Sequence, residues 1–151
     1  MGQGACGGAR GRVVSVVCAI CDLVEGRIPR WVIYETPSVI CFLPLELNAY
    51  GHTVIAPKMH FADLYNIPAP LLSELVEASK HLAVHYRAAL GATGVNLLHA
   101  SGADAGQSVT HFHLHLLPRL AGDGLDAWPN LPVTPADKDI LLALLRLSHE
   151  V

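Results

Sequence analysis

Residues 110–117 read Thr-His-Phe-His-Leu-His-Leu-Leu, and no other stretch limits the fold so tightly. Side chains in a strand alternate between its two faces. A strand here puts His111, His113 and His115 on one face and Phe112, Leu114 and Leu116 on the other. The apolar face has to find a core, which commits the segment to a packed sheet. Core packing does not account for three aligned imidazoles, and Thr, Lys or Glu would serve a solvated face equally well. A three-histidine catalytic metal site is the competing reading. At a rise of about 3.3 Å per residue, positions i, i+2 and i+4 span too much length to meet one ion easily. The loop just before the strand adds Gly102, Gly106, Gln107 and Ser108. Its turn amides, side-chain amide and hydroxyl make a good cradle for phosphate oxygens.

The rest of the chain supplies partners for such a strand. Strands are expected at Trp31–Tyr34, Val39–Leu43, His52–Ala56 and Gly94–Ala100, with the histidine strand from Thr110 to Leu117 stopped by Pro118. Residues Val13–Val17 read as a short strand or extended lead-in. Pro70 opens a helix in which Leu71, Leu72, Leu75, Val76, Leu82, Ala83, Tyr86 and Leu90 recur at helical spacing before Gly91. A last helix is expected from about Pro135 to Ser148. Antiparallel strands with one long helix across them, and a C-terminal helix, give an α+β domain. Trp31 and Cys41 are expected in its core.

With 151 residues and 52% hydrophobic content, the chain suits one domain over residues 13–151 behind a Gly-rich, flexible residues 1–12. A net charge of −3 argues against a nucleic-acid polymer as the main partner, though not against a mononucleotide. No run of about 18 apolar residues suggests a membrane span, and no export signal opens the sequence, so the cytoplasm is the expected compartment. Disulfides are unexpected in that compartment. Cys18 and Cys21 form a C-x-x-C pair, a pattern of metal or redox chemistry, at the start of a short turn or helix closed by Gly26.

The string GQSVTHFHLHLLPR, from Gly106 to Arg119, resembles the histidine-triad (HIT) pattern of His-x-His-x-His followed by apolar residues. Gly51-His-Thr-Val-Ile-Ala-Pro-Lys-Met-His60 resembles the family's Gly-His…Pro-Lys-x-His stretch. Cys18-Ala-Ile-Cys21, with Gly26–Pro29 and the Tyr34-Glu35 pair, resembles its zinc-containing bacterial branch. The resemblance runs from Cys18 to Trp128.

It implies a HIT-like antiparallel sheet in a domain-sized subunit of a homodimer. It implies hydrolysis of purine nucleoside phosphoramidates or adenylates at the α-phosphorus, through a nucleotidyl-histidine. His113 would be the nucleophile, and His115 would contact the phosphate and help the leaving group. Gln107 and Ser108 would hold phosphate oxygens, and His52 would sit beside the site. Ile20, Leu23, Phe42 and Leu45 would line an apolar base pocket with loose purine selectivity for AMP-like or GMP-like groups. Cys18, Cys21, His60 and His111 would form a closed Cys2His2 site for a structural Zn2+, with no catalytic metal. Dinucleoside polyphosphate hydrolysis or phosphorolysis is the nearest alternative activity. A zinc-stabilised nucleotide sensor with little turnover is the alternative of another class.

Two departures from the family pattern stand out. Pro44 occupies the position after Phe42-Leu43 where relatives carry an acidic residue for the ribose, leaving Glu46 as a substitute. Ala100 replaces a frequent Asn. Trp128 is a candidate for the pocket's neighbourhood, whereas His81, His85, His99 and His149 receive no role.

Overall fold

The computed structural model describes residues 18–127, 131 and 134–147. The lead-in Val13–Val17, the N-terminal tail and Trp128 lie outside the described residues. A short helix α1 (Ala19–Val24) leads into strands β1 (Trp31–Glu35), β2 (Val39–Leu43) and β3 (Thr53–Pro57). The long helix α2 (Ala69–Ala89) follows, then β4 (Gly94–Leu98), β5 (Leu114–Arg119) and a final helix α3 (Lys138–Leu145). The strands form one sheet in the order β1-β2-β3-β5-β4, and every neighbouring pair is antiparallel. This is the expected α+β architecture. Among the described residues, no helix is long and apolar enough to cross a membrane.

The central strands are apolar on both faces because both faces are covered. On one side Val39, Cys41, Ile55, Phe112, Leu114 and Leu116 pack under α2 through Leu75, Ala78, Leu82 and Tyr86. On the other, Ile40, Phe42, Val54 and Ala56 pack against Ile20 and Leu23 of α1. The strict alternation of Val39/Cys41 against Ile40/Phe42 is the period-2 rule at work. Tyr86 locks α2 to the start of β3. Thr53 donates its hydroxyl to Gly51 O at 3.0 Å, so Tyr86 Oη donates to Thr53 Oγ1 at 2.6 Å.

Several boundaries differ from expectation. Helix α2 begins at Ala69, with Pro68 as its cap residue and Pro70 in its first turn, where the missing N–H costs nothing. Strand β3 includes Pro57, paired with Val39, and β4 stops at Leu98. Pro118 lies inside β5, opposite Val95, and not at its end. Strand β3 begins at Thr53 opposite Leu116, so Pro118 lies past that neighbour and no rung is demanded of it there. Trp31 is 52% exposed and not in the core, because β1 is an edge strand. Helix α3 starts later than expected because Asp137 caps it, its carboxylate accepting from Asp139 N and Ile140 N.

Candidate active site and metal cluster

The histidine segment enters the sheet later than its alternation suggests. The first β5 rung is Leu114 opposite Ile55, and residues 109–111 form a bend. The backbone ahead of Leu114 finds other partners. Phe112 N donates to Phe61 O at 2.6 Å, and His111 N to Val109 O at 2.9 Å. The alternation nonetheless holds. Phe112, Leu114 and Leu116 enter the core under α2, while the three imidazoles turn to the opposite side.

Each imidazole then meets a different neighbour, and a carbonyl or N–H sets its tautomer. His111 is fully buried and donates from Nε2 to Pro57 O at 2.9 Å, so its Nδ1 lone pair is free. His113 donates from Nδ1 to His111 O at 2.7 Å, so its Nε2 lone pair is free. At His52, backbone Asn48 N–H donates to Nδ1 at 3.2 Å. Neutral His52 therefore carries its proton on Nε2 and donates it to His115 Nδ1 at 2.9 Å. That leaves His115 with an Nε2–H. The His113 and His115 rings stand edge-on with centroids 4.8 Å apart. One presents a lone pair and its neighbour presents a donor.

Burial keeps these rings neutral near pH 7. It lowers His113, as it lowers His52 and His111, and pushes His115 down to about 4, helped by the neighbouring His113, His52 and His99. A cavity of ≈ 390 Å³ opens beside His52 and His115, lined also by Asn48, Leu98, Leu117 and residues 125–127. Arg119 anchors the loop on that wall. Its guanidinium donates from Nε and Nη2 to the Asp123 carboxylate at 2.8 and 2.7 Å, and from Nη1 to Asn96 Oδ1 at 2.8 Å. Sequence reading did not find this wall, because only the fold brings β4, β5 and the following loop together.

Of the residues assigned to the base, Ile20, Leu23 and Phe42 do come together on the α1 side of the sheet, whereas Leu45 is 86% exposed. Glu46 and Ser108 are exposed. The Gln107 side chain closes its own loop. Its Oε1 accepts from Gly102 N at 2.8 Å, and its Nε2 donates to Ala62 O at 2.6 Å and Val109 O at 3.0 Å. Gly106 has φ +81°, a conformation that keeps side-chain-bearing residues out of this turn. Sequence reading also passed over His99, which bonds to the His113 carbonyl.

Cys18, Cys21, His60 and His111 converge, their ligand atoms all lying within 4.8 Å of one another. His111 Nδ1 is 3.3 Å from Cys18 Sγ, 3.6 Å from Cys21 Sγ and 3.2 Å from His60 Nδ1, and Cys21 Sγ is 3.4 Å from His60 Nδ1. A tetrahedral zinc with N and S ligands has edges of about 3.3–3.8 Å. These four separations lie close to that range and all six lie within 4.8 Å, a spacing compatible with one ion. The His111 tautomer supports the fit, since the nitrogen facing the cluster is the unprotonated one. Burial first, and then the Cys18 thiol, push the Cys21 thiol up to about 11, and a divalent cation would draw both thiols to thiolates.

Comparison with known proteins adds independent findings. The model of a family described as the HIT domain matches residues 25–122. An uncharacterised HIT-like protein of Methanocaldococcus jannaschii is 35% identical over 108 residues, covering 72% of this chain and 83% of its own length. An adenosine 5'-monophosphoramidase of Saccharomyces cerevisiae is 33% identical over 106 residues, covering 70% of this chain and 65% of its own. A crystal structure of a zinc-bound histidine triad family protein from Mycobacterium smegmatis superposes with a TM-score of 0.71 at 32% identity, covering 76% of this chain and 83% of that one.

Proposed function

The chain belongs to the HIT domain family, and from that premise we propose that it hydrolyses purine nucleoside phosphoramidates or adenylates at the α-phosphorus. The observation that carries the reading is the opposed pair of tautomers, a lone pair on His113 Nε2 beside an N–H on His115. The phosphoramidase activity of the yeast relative points to the same bond.

The His113 Nε2 pair forms a bond to phosphorus while the bond to the leaving nitrogen (oxygen in an adenylate) breaks. That atom keeps the electron pair and takes a proton from the water whose hydroxyl then goes to phosphorus. The imidazolium so formed keeps its Nδ1–H on His111 O, which stabilises the new positive charge. Neutral His115 donates its Nε2–H to a phosphoryl oxygen, where charge builds. Water then attacks phosphorus, releases the nucleoside monophosphate and returns the electron pair to His113. Over the cycle one water supplies hydroxyl to phosphorus and a proton to the leaving amine. Ile20, Leu23 and Phe42, each 6% exposed, back the α1 side on which the base would lie. Gln107 braces the loop ahead of the histidines, whose Gly102, Gly106 and Gln107 amides are bonded within the loop itself and not free for phosphate.

A structural zinc on Cys18, Cys21, His60 and His111 belongs to the same proposal, supported by the cluster's spacing and by the zinc-bound relative. So does a homodimer, supported by the exposed Val95 and Leu97 on edge strand β4. Paired thiols kept for a metal suit a reducing cytoplasm. The test is AMP release from adenosine 5'-phosphoramidate by the parent and by His113→Ala. We expect turnover by the parent and a loss of at least about a thousandfold in the variant, since the covalent step has no second nucleophile. No AMP from the parent, or near-normal kcat in His113→Ala, overturns the reading.

A further inference from the structure

Strands β4 and β5 separate just ahead of the catalytic segment. Their last rung joins Leu98 to His115, and the same register would next set His99 against Leu114 and Ala100 against His113. In place of a further rung, the His99 side chain takes over. Its Nδ1 lies 2.8 Å from His113 O and its Nε2 lies 2.6 Å from Ser101 Oγ. A carbonyl only accepts, so Nδ1 carries the proton. In the neutral ring Nε2 then accepts from the Ser101 hydroxyl, whose oxygen accepts Leu64 N–H at 2.8 Å. Every proton in the run from Leu64 through Ser101 and His99 to the His113 carbonyl is thus placed. The His99 ring also lies against Phe112, with centroids 4.3 Å apart.

We propose that His99 is a positioning residue for the nucleophile, holding the His113 peptide where the sheet has stopped holding it. The proposal rests on the reading that His113 attacks phosphorus. His113 is pinned at two points. Its ring is fixed by the His111 carbonyl, and its own carbonyl by His99. Removing the second pin frees the peptide that aims the first. An attacking atom displaced by about 1 Å loses on the order of a hundredfold in rate, without a matching loss in substrate binding. Ser101 acts one step further back, donating its hydroxyl to His99 Nε2 and so holding the ring in place against the carbonyl.

The test compares His99→Phe, which keeps an aromatic ring against Phe112 but loses both nitrogens, with His99→Gln, whose amide can still donate to the carbonyl. Steady-state kinetics with adenosine 5'-phosphoramidate should show kcat in His99→Phe lowered roughly 10- to 100-fold, with KM within about twofold of the parent. His99→Gln should recover part of that loss. Nitrogen NMR of the parent should find His99 protonated on Nδ1 and bare on Nε2. A His99→Phe protein with parental kcat overturns the proposal, as does a change confined to KM and melting temperature. A His99 ring protonated on Nε2 alone overturns it whatever the kinetics. A parent that releases no AMP overturns the hydrolase reading and the catalytic consequence together, and the NMR result then reports on the hydrogen bond alone.

Discussion

Three histidines, each two positions from the next, do three different jobs because each meets a different backbone group. His111 is turned towards the thiols by Pro57 O, His113 is freed at Nε2 by His111 O, and His115 is set as a donor by His52. His52 should therefore matter through His115. In His52→Ala, His115 can take either tautomer, and we expect kcat to fall about tenfold, with His52→Gln falling less. That is less than the roughly 100- to 1000-fold of a donor removed outright, because part of the population keeps it. Initial rates at saturating substrate decide it. Burial also predicts an acid sensitivity. His115 sits near 4 in the folded chain against about 6.5 unfolded, so between those values the unfolded chain holds more protons. Stability should then rise with pH across that window and be lost as pH falls from about 6.5 towards 4. Allowing for the ring's partial exposure, His115 contributes on the order of 1–2 kcal/mol to that loss. Urea midpoints at several pH values should show a shallower dependence in His115→Gln than in the parent.

At the scale of elements, the Cys2His2 cluster joins parts of the chain that share little else. It ties the start of α1 to the loop after β3 and to the lead-in of β5. All four ligands are protein groups, which leaves no open position for substrate or water. We expect about one zinc per chain in protein purified without chelator, measured by elemental analysis. Cys18→Ser should lower both bound zinc and melting temperature, while folded protein that remains still reacts through His113. Equal zinc and an equal melting temperature in that variant would remove the metal assignment. The turn before β3 is a second joint. Gly51 has φ +85°, and a Cβ there would lie 2.6 Å from Leu90 Cδ1 and 3.2 Å from Pro118 Cγ. Gly51→Ala should cost about 1–3 kcal/mol in denaturant unfolding, from backbone strain and a displaced Leu90.

For the whole molecule, the apolar surface left outside is informative. Edge strand β4 exposes Val95 and Leu97, and α3 exposes Ile140, Leu142, Leu144 and Leu145. An unpaired edge with exposed apolar residues is a template for another chain. We expect a homodimer at micromolar concentration, with sedimentation giving about twice the 16.1 kDa chain mass. Val95→Lys on that edge should shift the protein towards monomer. A parent that sediments as a monomer would dispose of the dimer.

The amino-acid sequence by itself determined what local periodicity and short-range chemistry can determine. The alternation around the histidines and the 3.6-period run along α2 specify which face turns to the core, since each face repeats within a few residues, although Val76 of that run is 48% exposed. The continuous apolar run Val39–Leu43 marks a strand buried on both faces. The motifs around Cys18, Gly51 and Gly106 marked the family and the four residues that converge as a Cys2His2 cluster. Chain direction and pairing lay beyond that reach. Only the tertiary structure decided that β5 lies between β3 and β4, and so that Pro118 sits inside a strand and Trp31 on an exposed edge. It also decided the protons. Which nitrogen of each imidazole is bare depends on a carbonyl or amide two to more than fifty residues away, as with His111 and Pro57. Local sequence carries no record of such a partner, because a hydrogen bond is set by distance and angle in space and not by separation along the chain.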